Sequence, residues 1–116
     1  MVHTRHNRWF QVEQAEGETV LTFTRSDLGQ EEDAQQVGAE LLRLLGEGSG
    51  PRFVLDFGTV DRFSSSLLGK LVAFQRRVRQ AGGAVAVRAL SEHLAATLES
   101  TRLDRFFLLV CGDRTN

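Results

Sequence analysis

The stretch Phe53-Val54-Leu55-Asp56-Phe57-Gly58-Thr59-Val60-Asp61-Arg62-Phe63-Ser64-Ser65-Ser66-Leu67-Leu68-Gly69-Lys70-Leu71 decides how the rest of the chain is read. It is a strand, a short connection, a run of serines and the start of a helix. Phe53, Val54 and Leu55 are consecutive apolar residues, the pattern of a strand covered on both faces, and Asp56 stands where that strand ends. The spacing then turns helical. Leu68, Leu71, Val72, Gln75 and Val78 fall along one side, and Leu67 and Phe74 widen the apolar stripe. Ser64, Ser65 and Ser66 lie at the junction. A serine oxygen there can accept from the unpaired N–H groups of the first helical turn. The same N–H groups and the positive end of the helix dipole tolerate a phosphate.

Upstream, residues 1–7 are polar and read as a loose tail. Trp9 to Glu13 and Thr19 to Thr24 alternate, with Phe10 and Val12 on one face and Leu21 and Phe23 on one face. Ala15-Glu16-Gly17-Glu18 supplies a turn between them, so the pair reads as a hairpin. Ser26 to Gln30 reads as a loop. Glu32 or Asp33 opens the next helix, whose stripe is Ala34, Val37, Leu41, Leu44 and Leu45, and Gly46-Glu47-Gly48-Ser49-Gly50-Pro51 ends it. Downstream, Gly82-Gly83 stops the central helix and Ala84 to Arg88 is a strand. Ser91 caps a third helix carrying Leu94, Ala95 and Leu98. Phe106 to Val110 is a last strand, and Gly112 to Asn116 a short tail.

The order is strand, strand, helix, strand, helix, strand, helix, strand. It predicts an α/β domain with a mixed four- to five-stranded sheet and helices mainly on one side. Leu41, Leu44, Val54, Leu68, Leu71, Val85, Leu94, Leu98 and Leu108 are expected inside. A length of 116 residues suits one domain, residues 1–116, around one core. A net charge of −1 gives no pull toward nucleic acid or acidic membranes, so neither is an expected partner. No apolar run reaches membrane-spanning length, and Met1-Val2-His3-Thr4-Arg5-His6 lacks the apolar core of a signal peptide. Cys111 is the single cysteine, which excludes an internal disulfide and a cysteine metal cluster. A cytoplasmic setting is the expectation.

Most chemistry is discarded on pattern. Asp56-Phe57-Gly58 spells a kinase metal-binding triplet, but the chain is far too short for a kinase. The glycines between residues 46 and 50 follow a helix and precede a strand, the reverse of a phosphate cradle. His3, His6 and His93 share no metal-ligand spacing, so no metal is expected. Arg76, Arg77 and Arg79 read as a solvated face near a helix C-terminus, where cations suit the dipole. A serine nucleophile needs glycines two residues to either side, and Ser65 has Phe63 and Leu67 there. The chain therefore reads as a non-enzyme. Helix capping and a regulatory or ligand role remain for the serines.

The ordered motifs of residues 52–110 resemble the STAS domain of bacterial anti-sigma-factor antagonists. The resemblance rests on Val54-Leu55-Asp56, on Ser64-Ser65-Ser66-Leu67-Leu68-Gly69-Lys70-Leu71, on Gly82-Gly83 and on Thr101-Arg102-Leu103-Asp104-Arg105-Phe106. The hairpin and first helix fit the family's order of elements. The resemblance implies a single STAS-like domain acting by partner switching. Ser65 aligns with the serine that family members present for phosphorylation, with Ser64 and Ser66 as its neighbours in the register. Asp56 aligns with the acid at the end of the central strand. Asp56, Ser64, Ser65, Ser66 and Leu67 would form the partner-binding surface. The implied partner is an anti-sigma-factor serine kinase, with room for a phosphatase; ATP and magnesium would belong to the kinase, so the resemblance implies no cofactor for this chain. Two residues depart from the pattern: Ser64 stands for the usual acid, and Leu67 for the usual glycine at an exposed helix start. STAS-like domains also serve as non-switching structural or small-ligand-binding modules, which is the alternative.

Overall fold

The computed structural model describes residues 3–46, 52–100 and 108–109, and it begins with a strand where a loose tail was expected. β1 (His3–His6) pairs antiparallel with β2 (Phe10–Ala15). Thr4, Arg5 and His6 are all exposed, so this edge strand buries no face and carries no apolar alternation to reveal it. β2 turns back into β3 (Glu18–Phe23) through Glu16 and Gly17, whose φ angles are 54° and 79°. Consecutive left-handed residues match the twist of a two-residue hairpin, and glycine takes the second of them without a Cβ penalty.

From β3 onward the sheet is parallel. β3 pairs with β5 (Arg52–Asp56), β5 with β7 (Ala84–Arg88) and β7 with β8 (Leu108–Leu109), giving the order β1-β2-β3-β5-β7-β8. Three helices make the crossovers: α1 (Glu31–Gly46), α2 (Ser65–Gln80) and α3 (Glu92–Ser100). Strand order advances in one direction, so right-handed crossovers put all of them on one face. Burial agrees. Leu21, Phe23, Phe53, Leu55, Val85 and Val87 are buried on the helix side, whereas Val20, Thr22 and Ala86 on the other side are half-buried. The mixed sheet and one-sided helices are as the sequence predicts; the extra strand is β1. Val54 lies on the helix-free face yet is buried at 8% exposure, flanked in register by Val20 and Ala86.

One core unites the elements. Leu41, Leu44, Leu68, Leu71, Val85 and Leu94 are inside as expected, joined by Phe10, Phe23, Phe53, Phe57 and Phe74. Phe53 meets Phe74 edge-on at 5.0 Å, which fixes α2 over β5. α2 ends in a Schellman turn: the Gly83 N–H donates to Val78 O and the Gly82 N–H to Arg79 O, with Gly82 at φ 87°. Ser91 caps α3 through Leu94 N–H, at 3.1 Å.

Asp33 lies in the first turn of α1 with Glu31 and Glu32, as expected of an acid near the helix N-terminus, but it is buried at 8% exposure. Its Oδ1 accepts from Trp9 Nε1 at 3.2 Å and faces Arg25 Nη1 at 3.5 Å. The Ser26–Gln30 loop also holds more structure than expected: β4 (Asp27–Leu28) pairs in parallel with β6 (Arg62–Phe63) as a separate small sheet. The side chains of Leu98 and Leu108 lie outside the described residues. So do residues 47–51, the Thr101–Phe106 motif, Val110, Cys111 and the tail from Gly112.

Candidate functional site around the start of the central helix

α2 begins where the C-terminal end of β5 meets the small β4–β6 sheet. Ser64 is the cap. Its backbone is extended, at φ −84° and ψ 163°, and its Oγ accepts from Leu67 N–H at 3.1 Å. The Ser64 N–H donates to Leu28 O at 3.3 Å, which fastens the cap to β4. Ser65 is the first helical residue. Its side chain is exposed, and among the described residues it makes no hydrogen bond. Ser66 is half-buried and donates through Oγ to Glu31 Oε1, at 2.6 Å, on the first turn of α1.

Leu67 does not belong to this surface. It is fully buried at 0% exposure, because the third position of α2 faces the core with Leu71, Phe74 and Val78. The sequence placed Leu67 both in the apolar stripe and on an exposed helix start, and the stripe wins. A hydrophobe at that position therefore adds to the core and leaves the serine surface open.

Asp56 is engaged on both carboxylate oxygens. Oδ1 accepts from Gly58 N–H at 2.8 Å, the turn-forming bond open to an aspartate. Oδ2 accepts from Arg88 Nε at 3.0 Å, with the two side chains 19% and 36% exposed. The Phe57 N–H donates to Arg88 O at 3.1 Å, so β5 and β7 are tied again just past their ends. Asp56 thus shapes the connection that delivers the serines. Phe57 then drops into the core and stacks on Phe23 at 4.9 Å.

The loop from β3 completes the site. Asp61 and Arg62 N–H groups donate to Ser26 O, at 2.7 and 3.2 Å. Asp27 Oδ1 holds its own turn through Gly29 N–H at 2.9 Å and faces Arg62 Nε at 3.7 Å. That ion pair is 71% and 57% exposed, so it orients more than it stabilises. Glu31, Asp27 and Arg88 are site residues that the sequence did not announce. Each lies some 30 residues from its partner (35 for Ser66 and Glu31, 32 for Arg88 and Asp56), beyond any spacing rule. Of the three serines, Ser65 presents the hydroxyl that has no hydrogen-bond partner among the described residues, at a helix N-terminus, on a surface made by two loops.

Arg76, Arg77 and Arg79 are exposed on the far half of α2, and His93 is exposed on α3. Among the described residues no group of His, Cys, Asp or Glu is arranged to hold a metal ion. Among them, too, no helix is long and apolar enough to cross a membrane.

Solved structures share this fold. The Thermotoga maritima protein TM1081, provisionally described as an anti-sigma factor antagonist, superposes with a TM-score of 0.76 at 21% identity, over 86% of this chain and 84% of that one. An anti-sigma-factor antagonist (STAS) domain protein from Planctomyces limnophilus gives 0.69 at 22% identity, over 93% and 87%. The Bacillus cell fate determinant SpoIIAA, in its phosphorylated form, gives 0.67 at 16% identity, over 87% and 90%. No curated protein matches the sequence. The family described as "Mlab, STAS domain" matches residues 11–110. Since that span takes in the hairpin, all the helices and every parallel strand, the chain belongs to the STAS domain family.

Proposed function

We propose that the protein is an anti-sigma-factor antagonist that switches partners through phosphorylation of Ser65. The observation that carries this reading is the division of labour among the serines. Ser64 is spent on the cap and Ser66 on Glu31, and Ser65 is exposed with its hydroxyl unengaged. The resemblance to anti-sigma factor antagonists, among them SpoIIAA, which has been solved in unphosphorylated and phosphorylated forms, supports the same assignment.

In this mechanism the unmodified face, built from Ser65, the β4–β6 sheet and the connection set by Asp56, docks on an anti-sigma-factor serine kinase. Docking releases the sigma factor that the kinase holds. The kinase then transfers the γ-phosphoryl group of ATP to Ser65 Oγ; the hydroxyl proton passes to a base of the kinase, and ADP leaves. The phosphate adds about −1.5 to −2 charges. The N-terminus of α2 accommodates that charge through its dipole and unpaired N–H groups. A close protein interface does not, because it would have to bury the charge. The antagonist is released, and a phosphatase resets it. A cytoplasmic setting follows from such partners.

The test is incubation with the anti-sigma-factor kinase encoded nearest in the genome and ATP–Mg²⁺, followed by mapping of the phosphate. The reading expects modification at Ser65, its loss in Ser65→Ala, and weaker kinase binding by Ser65→Glu. Absence of modification together with wild-type binding by Ser65→Glu overturns it. That outcome would favour a non-switching STAS interaction module, a reading that Ser64 in place of an acid supports.

A further inference from the structure

We infer that Glu31 couples charge at Ser65 to the loop between β3 and α1, so that the switch changes the shape of two segments of the surface and not of one. The inference rests on Ser65 as the residue that acquires charge. Ser65 and Ser66 are neighbours in the first turn of α2, and Ser66 Oγ is 2.6 Å from Glu31 Oε1. A phosphate on Ser65 therefore stands one residue from the contact made by an anionic carboxylate. Consecutive Cα atoms are about 3.8 Å apart, and the Debye length in physiological salt is about 8 Å, so salt screens a charge on Ser65 only in part from the carboxylate bonded to the adjoining Ser66. Among the described residues Glu31 has no ion-pair partner to absorb that repulsion. The nearby Arg62 is directed to Asp27.

What Glu31 holds is also clear. It is the first residue of α1, and only Gly29 and Gln30 separate it from β4. Among the described residues Ser66–Glu31 is a side-chain hydrogen bond between the start of α2 and the start of α1; the same two segments are also tied by the β4–β6 pairing, the Asp27–Arg62 ion pair, Ser64 N–H to Leu28 O, and the bonds to Ser26 O. Negative charge at Ser65 pushes Glu31 away, frees the Ser66 hydroxyl and loosens the segment from Ser26 to Asp33. Before modification, the same contact keeps the Ser66 hydroxyl engaged and so directs a kinase to Ser65. Glu31 is thus a positioning residue that acts on the serine run through Ser66.

Amide hydrogen exchange tests this without any kinase. Ser65→Glu should speed exchange in residues 26–33 on the order of tenfold over wild type, while α3 and β7 stay within about twofold. Adding Glu31→Gln, which keeps an acceptor for Ser66 but removes the charge, should return the segment to within about twofold of the Glu31→Gln single variant. Adding Glu31→Lys should reverse the sign, so that Ser65→Glu slows exchange there. No change on Ser65→Glu, or an equal change with Glu31→Gln present, overturns the coupling. Phosphorylation of Ser65 without a response in residues 26–33 would do the same while leaving the switching function standing.

Discussion

Substituting each serine of the run by alanine separates their roles by stability alone. Ser64→Ala removes the oxygen that accepts from Leu67 N–H at 3.1 Å. That N–H belongs to the half-buried first turn, so the loss should cost about 1 kcal/mol, within the range of about 0.5–2 for such caps. Ser66→Ala breaks its bond to Glu31 at an exposed site, which is worth about 0.5 kcal/mol. Ser65→Ala removes no bond and should stay within about 0.5 kcal/mol of wild type. Urea unfolding followed by circular dichroism reads these directly. With a slope of about 1.5 kcal/mol per molar, Ser64→Ala should lower the midpoint by roughly 0.7 M, Ser66→Ala by roughly 0.3 M, and Ser65→Ala should shift it by no more than roughly 0.3 M in either direction. The slope itself should not change. A larger loss for Ser65→Ala than for Ser64→Ala would refute the cap assignment and shift the exposed, modifiable position by one residue.

Four further outcomes follow from named residues. Asp56→Ala and Arg88→Ala, measured singly and together by urea unfolding, should show a coupling of about 1 kcal/mol for their half-exposed pair, and a coupling of zero would mean that the pair shapes nothing. Asp56→Asn keeps an acceptor for Gly58 N–H and should cost less than Asp56→Ala. Leu71→Asp places an unpaired charge at a site 2% exposed and should cost more than about 4 kcal/mol, so an unchanged melting temperature would contradict the assigned core face of α2. Trp9→Phe keeps an aromatic ring but removes the N–H that reaches buried Asp33; calorimetry should show a loss of about 1–3 kcal/mol, and a neutral result would show that Asp33 finds another donor.

What the sequence makes legible is what repeats at a fixed period. The alternation of Phe10 with Val12 and of Leu21 with Phe23 marks the hairpin, and the run Phe53-Val54-Leu55 marks the middle of the sheet. The stripe of Leu68, Leu71 and Val78 marks α2, and the serines before it mark a cap, though not which of them provides it. β1 escapes because an exposed edge strand needs no apolar residues, and β4 and β6 escape because two-residue strands have no period. The ties from Asp56 to Arg88 and from Ser66 to Glu31 join residues distant in the chain, so only folding brings them together. Leu67 shows the limit from the other side: one residue fitted two patterns, and only burial decides between them.

The pairing of Asp27–Leu28 with Arg62–Phe63 has a bearing on when the serine surface comes into being. The residues between them make up α1, β5 and the connection from Asp56, so the small sheet closes a loop around a whole crossover unit. Closing such a loop carries an entropic cost that the assembled crossover offsets, so the small sheet is expected to form after it. A nascent chain, or one with the β3–α1–β5 crossover undone, carries all the serines and none of the surface that presents them. A partner reading that surface would engage only finished molecules, and half-made or damaged copies would drop out of the signal without any separate inspection step.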